Sequence, residues 1–312
     1  MDQRARIYVA GGRTLTGATL VSRLGAQGFG ALVGVGDEEP DLGDRAAVER
    51  FFDSVRPEYV FVAAGRTAGI GGNERFPADL MLDNLLIAGH VIPAAWRSGS
   101  KKLLYLSSSC TYPKLAPQPL QPVALWSGPL ESTSAAYAVA KLAGTKLCDA
   151  YRQQHGARFV TAIAADAYGP GDDFTLENSH VVSALIRRID QAHRAGSPVV
   201  EVWGSGAPRR EFIYVDDLAD ACIFAMRHYD GTDPINLGTG DDTSIAELVG
   251  IIREVVGYRG ELRFDRTRPD GMPFKGLDSL QLRGMGWRPA WTLRRGVERT
   301  YEWFVGNLTR PA

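Results

Sequence analysis

Residues 6–10 of this chain, Arg-Ile-Tyr-Val-Ala, run straight into Gly11-Gly12-Arg13-Thr14-Leu15-Thr16-Gly17, and an amphipathic stretch follows over 15–25. A β-branched run, a glycine turn and a helix, in that order, open a strand–turn–helix unit. Gly11 permits the tight turn. Gly17 lets the helix pack close to the strand while the free N–H groups of its first turn face a pyrophosphate. Gly11, Arg13, Thr14, Leu15, Thr16 and Gly17 are therefore the candidate phosphate-binding turn. Thr14 stands at the middle glycine of a GxxGxxG spacing, and its β-carbon predicts a turn set slightly farther from the dinucleotide.

The alternation continues beyond this unit. Short apolar runs at 31–35, 59–64, 102–107 and 159–164 alternate with amphipathic stretches at 46–55, 80–98 and 134–154. This pattern predicts an α/β fold, a Rossmann-type doubly wound parallel sheet covered on both faces. Ile7-Tyr8-Val9, Tyr59-Val60-Phe61-Val62 and Leu103-Leu104-Tyr105-Leu106 read as buried central strands, with active-site loops after their ends. Prolines at 117, 119, 122 and 129 predict an irregular loop before the helix at 134–154. Past Gly169-Pro170-Gly171 the alternation loosens, with helices predicted at 181–195 and 245–256. The expected organisation is a dinucleotide-binding domain over 1–170, rejoined by later segments, and a smaller α/β C-terminal lobe over 171–312 that faces the substrate.

Lys plus Arg number 35 against 36 Asp plus Glu, a net charge of −1 with no basic block. That balance excludes the broad electrostatic footprint of a nucleic-acid or anionic-membrane partner. Cys110, Cys148 and Cys222 are odd in number and widely spaced, which fits neither a disulfide framework nor a metal site. The first apolar run is too short for a signal-peptide core, and no later run approaches membrane-spanning length. The expectation is a cytoplasmic chain without a metal.

The strongest chemical signal is Tyr137-Ala-Val-Ala-Lys141, downstream of Ser107-Ser108-Ser109 at a strand end. A spacing of four places Tyr137 and Lys141 on one helical face. An adjacent ammonium favours the ionised phenol and lowers its pKa, and Lys141 can also hold a cofactor ribose. Ser108 can orient a carbonyl so that hydride arrives on one face while Tyr137 protonates the oxygen. After the second strand, Asp37 and Glu38 suit a ribose 2′-hydroxyl and point to NAD, whereas Arg13 suits a 2′-phosphate.

The order Gly11, Gly17, Ser108, Tyr137, Lys141 resembles the extended short-chain dehydrogenase/reductases. Finer matches resemble the GDP-L-fucose synthase family, the GDP-4-keto-6-deoxy-D-mannose 3,5-epimerase/4-reductases. They are Phe76-Pro-Ala-Asp79, Ser108-Ser-Cys-Thr-Tyr-Pro-Lys-Leu-Ala116, Tyr137-Ala-Val-Ala-Lys-Leu-Ala-Gly144, Tyr168-Gly-Pro170, Asn178-Ser-His-Val181, Val202-Trp-Gly-Ser-Gly206, Arg210-Glu-Phe212, Val215-Asp-Asp217 and Pro269-Asp-Gly271. The resemblance implies an epimerase/reductase acting on a GDP-linked 4-keto sugar with NADPH, NAD being the other option. It implies that Cys110 and His180 form an acid/base pair beside the reductase residues Ser108, Tyr137 and Lys141. A C4 ketone acidifies the hydrogens on C3 and C5, and a thiol with a reference pKa near 8.5 can serve as base beside a cation, here His180. The same resemblance implies cofactor contacts from Ala64, Ala164, Asp166, Ala167 and His180. It implies sugar-nucleotide contacts from Ser109, Asn178, Arg188, Trp203, Arg210, Asp270 and Lys275. It also implies a homodimer built on a helix bundle, for which 142–151 offers a face.

Three departures qualify this expectation. The family's Pro-Thr-Asn is here Ala164-Ala165-Asp166, so an amide has become a carboxylate. Its arginine-bearing loop after strand two is replaced by Gly34, Gly36 and an acidic run. Its Val-Gly-Gly-Ile is Thr67-Ala-Gly-Ile70. The remaining alternatives are a 4-reductase or 4-epimerase without 3,5-epimerisation, including one for GDP-4-keto-heptoses, and a non-catalytic NAD(P)-sensing protein. Dehydratases carry an acidic pair where this chain has Ser109-Cys110.

Overall fold

The computed structural model describes residues 1–175, 179–268 and 270–308. Its first half alternates β1 (Ile7–Ala10), α1 (Leu15–Ala26), β2 (Leu32–Val33), α2 (Arg45–Val55), β3 (Tyr59–Val62), α3 (Ile70–Arg75), α4 (Pro77–Arg97), β4 (Lys102–Ser108), α5 (Ala135–His155) and β5 (Phe159–Ala164). There follow β6 (Asp166–Tyr168), α6 (Val181–Ala195), β7 (Val199–Trp203), β8 (Arg209–Tyr214), α7 (Val215–His228), β9 (Ile235–Leu237), β10 (Asp242–Ser244), α8 (Ile245–Val256), β11 (Glu261–Asp265), β12 (Phe274–Lys275), α9 (Leu280–Gly284) and α10 (Leu293–Leu308).

The main sheet runs β2-β1-β3-β4-β5-β9 and is parallel throughout. Every residue of β1 and β5 is buried, as expected for strands covered on both faces. Helices α1 and α7 pack together, as do α4 and α5. β9, far along the chain, pairs with β5 and supplies the sheet's last strand. A second sheet, β10-β8-β12 with β6 on β8, and the parallel pair β11 and β7 carry the later residues. α6 and α8 cover this region, and Val182, Ile186, Ile189, Leu248 and Ile252 form its core.

The helices at 181–195 and 245–256 fall where the sequence places them, and α8 opens with a capping box of Ser244 and Glu247. The second strand is only two residues long because Gly34 takes positive φ immediately after it. α4 corrects the expectation that no run approaches membrane-spanning length: by length and composition alone this helix passes that test. Its stripe of Ala88, Val91, Ile92 and Ala95 is buried, however, and joins the protein core. The face offered by 142–151 is also largely spent within the chain, since Leu142 and Cys148 are both buried in core clusters.

Lys102, the first residue of β4, is a buried cation with a structural task. Its Nζ donates to the carbonyls of Met226 at 2.7 Å and Tyr229 at 2.6 Å, and lies 3.1 Å from Asp230 Oδ1. It thereby satisfies carbonyls around the end of α7 and ties that helix to the main sheet. Lys102→Ala removes this donor and a buried stem, and is expected to cost about 3 kcal/mol. A fall in the urea midpoint of the variant measures the cost; an unchanged midpoint contradicts the assigned role.

Candidate active site

The site is built at the carboxyl ends of the parallel strands, where chain direction across the sheet reverses on either side of β1 and β3. Gly11 follows β1 with φ +85°, and Thr14 caps α1, its Oγ1 accepting from Gly17 N at 3.1 Å and donating to Gly11 O at 2.8 Å. A β-carbon at Gly17 would lie 1.9 Å from Gly11 O, and one at Gly11 would lie 2.5 Å from Ala64 Cα. Both glycines are therefore required by close backbone approach. Thr14 closes the turn by hydrogen bonds to the two glycines.

A cleft of about 710 Å³ opens above this turn, lined among others by Gly11, Arg13, Thr14, Glu39, Ala64 and Arg66. Its place over the α1 N-terminus and the backbone approach at Gly11 and Gly17 fit the diphosphate of a dinucleotide. Leu15 and Thr16 form the first turn of α1 but are not in the cleft lining. Asp37 stands outside the lining, exposed, with its Oδ1 2.5 Å from Arg13 Nη2. The acid in the lining at that place is Glu39, whose Oε1 accepts from Gly11 N at 2.5 Å. The sequence offers three acids in a row and no signal for which of them turns inward.

Lys141 links the cleft to the chemistry. Its buried Nζ donates to Ala64 O at 3.3 Å and Leu106 O at 3.2 Å and lies over the Tyr105 ring. Burial pushes this ammonium down to about 8. Tyr137, one turn earlier and also buried, behaves opposite to the expectation of an ammonium-lowered phenol. Burial raises its pKa, the charge of Cys110 adds to this, and a hydrogen bond to Ser108 offsets part of it. The ammonium of Lys141 is committed to backbone carbonyls, so desolvation decides the outcome.

Ser108 ends β4, and its side chain accepts from Cys110 N at 3.2 Å, which places Cys110 in the turn beside it. The cation beside Cys110 is Lys275, with Nζ 3.9 Å from Sγ, rather than the expected His180. Lys275 Nζ also lies 2.7 Å from Asp166 Oδ1. Burial alone would raise the Asp166 carboxyl, but Lys275, then Arg210 and His180, hold it below the usual range. Burial likewise opposes the Lys275 ammonium, and the charges of Asp166 and Cys110 outweigh it and raise its pKa. The carboxylate that replaces the family's amide thus anchors a lysine against the thiol. Ser109 is buried, with Oγ 3.5 Å from the same Asp166 oxygen. Ala164 is the strand partner of Ser108, and Ala167 sits in β6 opposite Ile213.

His180 caps α6, and its Nε2 lies 3.2 Å from Thr67 Oγ1. The threonine of the altered Thr67-Ala-Gly-Ile70 loop therefore touches the proposed acid/base histidine. Asn178 lies outside the described residues. Farther along, Arg188 lies over the Trp203 ring at 5.4 Å and Arg268, which the sequence reading did not single out, at 4.8 Å. Trp203 is half-exposed, so two guanidinium groups and an indole form a platform suited to a base or a diphosphate. Asp270 is held by Ser205 N at 2.7 Å and Ser205 Oγ at 2.8 Å, and its carbonyl lies 3.5 Å from Arg210 Nη2. Among the described residues no group of His, Cys, Asp and Glu is arranged to hold a metal.

This fold and site define a dinucleotide-dependent sugar-nucleotide enzyme class: the chain belongs to the NAD dependent epimerase/dehydratase family, whose model matches residues 7–238. Within it, the chain falls in the GDP-L-fucose synthase family. It is 47% identical to GDP-L-fucose synthase 1 of Arabidopsis thaliana over 307 residues, 98% of this chain and 95% of that relative. Among solved structures, a GDP-6-OMe-4-keto-L-xylo-heptose reductase from C. jejuni matches with a TM-score of 0.92 at 32% identity, covering 98% of this chain and 99% of that one. A GDP-L-fucose synthetase from Naegleria fowleri bound to NADP matches with a TM-score of 0.90 at 26% identity, covering 99% and 96%.

Proposed function

We propose that this enzyme inverts C3 and C5 of a GDP-4-keto-6-deoxy-hexose and then reduces the C4 carbonyl, the chemistry named for its GDP-L-fucose synthase relatives. The observation that carries the reading is the convergence of Ser108, Cys110 and Tyr137: the serine accepts from the amide of the thiol-bearing residue and is hydrogen-bonded to the phenol. A 4-keto oxygen held by Ser108 and Tyr137 stabilises the enolate formed when a proton leaves C3 or C5. Cys110, with Lys275 Nζ 3.9 Å from its sulfur, takes that proton on one face, and His180 returns one from the other. Bound in the cleft, a nicotinamide dinucleotide supplies hydride to C4. Tyr137, kept protonated by burial, gives its proton to O4, and Lys141 holds the ribose. The Arg188, Trp203 and Arg268 platform and Arg210 hold the GDP moiety.

The reductant in this reading is NADPH or NADH, and the NADP-bound Naegleria relative supports a cleft that admits the former. We also propose a homodimer. Leu82 and Trp96 on α4 and Val139 on α5 are exposed apolar groups on neighbouring helices, which supports their covering by a second copy. Three free cysteines support a reducing cytoplasm.

Proton NMR with GDP-4-keto-6-deoxy-D-mannose in deuterated buffer tests the chemistry. Deuterium is expected at C3 and C5 without coenzyme, followed by GDP-L-fucose once coenzyme is added. A second reading, C4 reduction without epimerisation, is favoured by Thr67, which meets His180 where the family has valine. Coenzyme consumption on a GDP-4-keto-heptose with no exchange at C3 or C5 selects that reading.

The role of Lys141 carries a pH dependence. Its ammonium is charged below about 8 and neutral above it. Coenzyme affinity, read from NAD(P)H fluorescence, is expected to be constant near neutrality and to weaken as pH rises through that value. Lys141→Met should bind more weakly and with a flat profile. A wild-type curve that is also flat removes the ribose-holding role.

A further inference from the structure

We propose that this enzyme prefers NADH to NADPH, and that Asp37 enforces the preference by occupying Arg13. The proposal rests on the cleft being a coenzyme site, as in the function proposed above, but not on which sugar is processed.

The two coenzymes differ by one 2′-phosphate, which brings close to two negative charges and needs a free guanidinium or ammonium at the adenosine ribose. The cleft lining carries two cations, Arg13 and Arg66, against three acids, Glu39, Asp41 and Asp83. Neither cation is free. Arg66 Nη1 lies 3.3 Å from both Asp79 Oδ2 and Asp83 Oδ2. Arg13, in the glycine turn, is bonded to Asp37. The loop after β2 has no replacement to offer, because residues 24–44 contain no lysine or arginine and include Asp37, Glu38, Glu39, Asp41 and Asp44. A 2′-phosphate would have to take Arg13 from Asp37 and then sit beside Glu39 and Asp41, like charges in a partly enclosed cleft.

For NADH the same groups are favourable. Glu39 is fixed by the Gly11 amide, and its Oε2 has no protein partner among the described residues. It is a ready acceptor for a ribose 2′-hydroxyl, at the end of the second strand where such an acid acts. The Arg13 and Asp37 pair is exposed and contributes little to folding, so its consequence lies in what it denies the coenzyme.

The test is fluorescence titration of the full chain with NADH and with NADPH, without sugar, at fixed moderate salt. The wild type is expected to bind NADH at least about tenfold more tightly. Asp37→Asn should release Arg13 and tighten NADPH binding about tenfold, narrowing or reversing the ratio. In the double variant Asp37→Asn, Arg13→Ala that gain should vanish. A wild type that favours NADPH overturns the proposal, as does a gain that persists without Arg13. Failure to bind either coenzyme overturns it together with the assignment of the cleft. A clear NADH preference in an enzyme that shows no exchange at C3 or C5 leaves it standing while the epimerase reading falls.

Discussion

Cys110→Ser is expected to lower deuterium incorporation at C3 and C5 of GDP-4-keto-6-deoxy-D-mannose by about 10²–10⁴-fold, the usual worth of a positioned base. The partly buried thiol sits one turn beyond β4 with its sulfur 3.9 Å from Lys275 Nζ. A serine hydroxyl fills nearly the same space and keeps the backbone bond from Cys110 N to Ser108, but it does not ionise near neutrality. Coenzyme fluorescence should still report a formed cleft, because Gly11, Gly17 and Ala64 are untouched. Exchange within twofold of wild type removes Cys110 from the proton-transfer step.

Tyr137→Phe is expected to divide the reaction at a different place. The phenol is buried, its pKa raised chiefly by that burial, so it remains a neutral donor over the working range. Losing the hydroxyl removes the proton supply to O4 and one of two groups that hold the carbonyl, and C4 reduction should fall by about 10²–10⁴-fold. Exchange at C3 and C5 should fall much less, since Ser108 and the Cys110 and Lys275 pair remain. Single-turnover reduction followed by absorbance at the nicotinamide band, beside NMR exchange, separates the two. An equal loss of both activities contradicts the division of labour between Tyr137 and Cys110.

Much of this arrangement is legible in the sequence, for definable reasons. Strands buried on both faces write themselves as apolar runs, and helices with one buried stripe as periodic ones, so α6 and α8 were placed to the residue. Tyr137, Lys141, Ser108 and the glycine turn carry spacing that reflects local geometry. What is not legible depends on side chains meeting across distant segments. Lys275 reaches Asp166 and Cys110 from β12, Thr67 reaches His180 from the loop after β3, and Arg268 meets Trp203 across the β7 and β11 pair. No periodicity encodes such meetings. Which of Asp37, Glu38 and Glu39 lines the cleft is hidden for a smaller reason: β2 ends two residues earlier than the apolar run, and the turns at Gly34 and Gly36 reset which acid faces inward. The raised pKa of the phenol is hidden as well, because the sequence shows a lysine four residues away but not the carbonyls that already hold it.

The lateness of β9 has a kinetic consequence. β5 is complete at Ala164, yet its outer edge stays unpaired until Ile235–Leu237 has been synthesised, about seventy residues later. At about 5–20 residues per second, that leaves a largely apolar strand edge open for roughly 4–14 s on every nascent chain. An open edge of this kind is a template for pairing with another chain. The enzyme's yield in a cell is therefore set partly by a race, between delivery of three residues from the far half of the chain and capture of that edge by a neighbour.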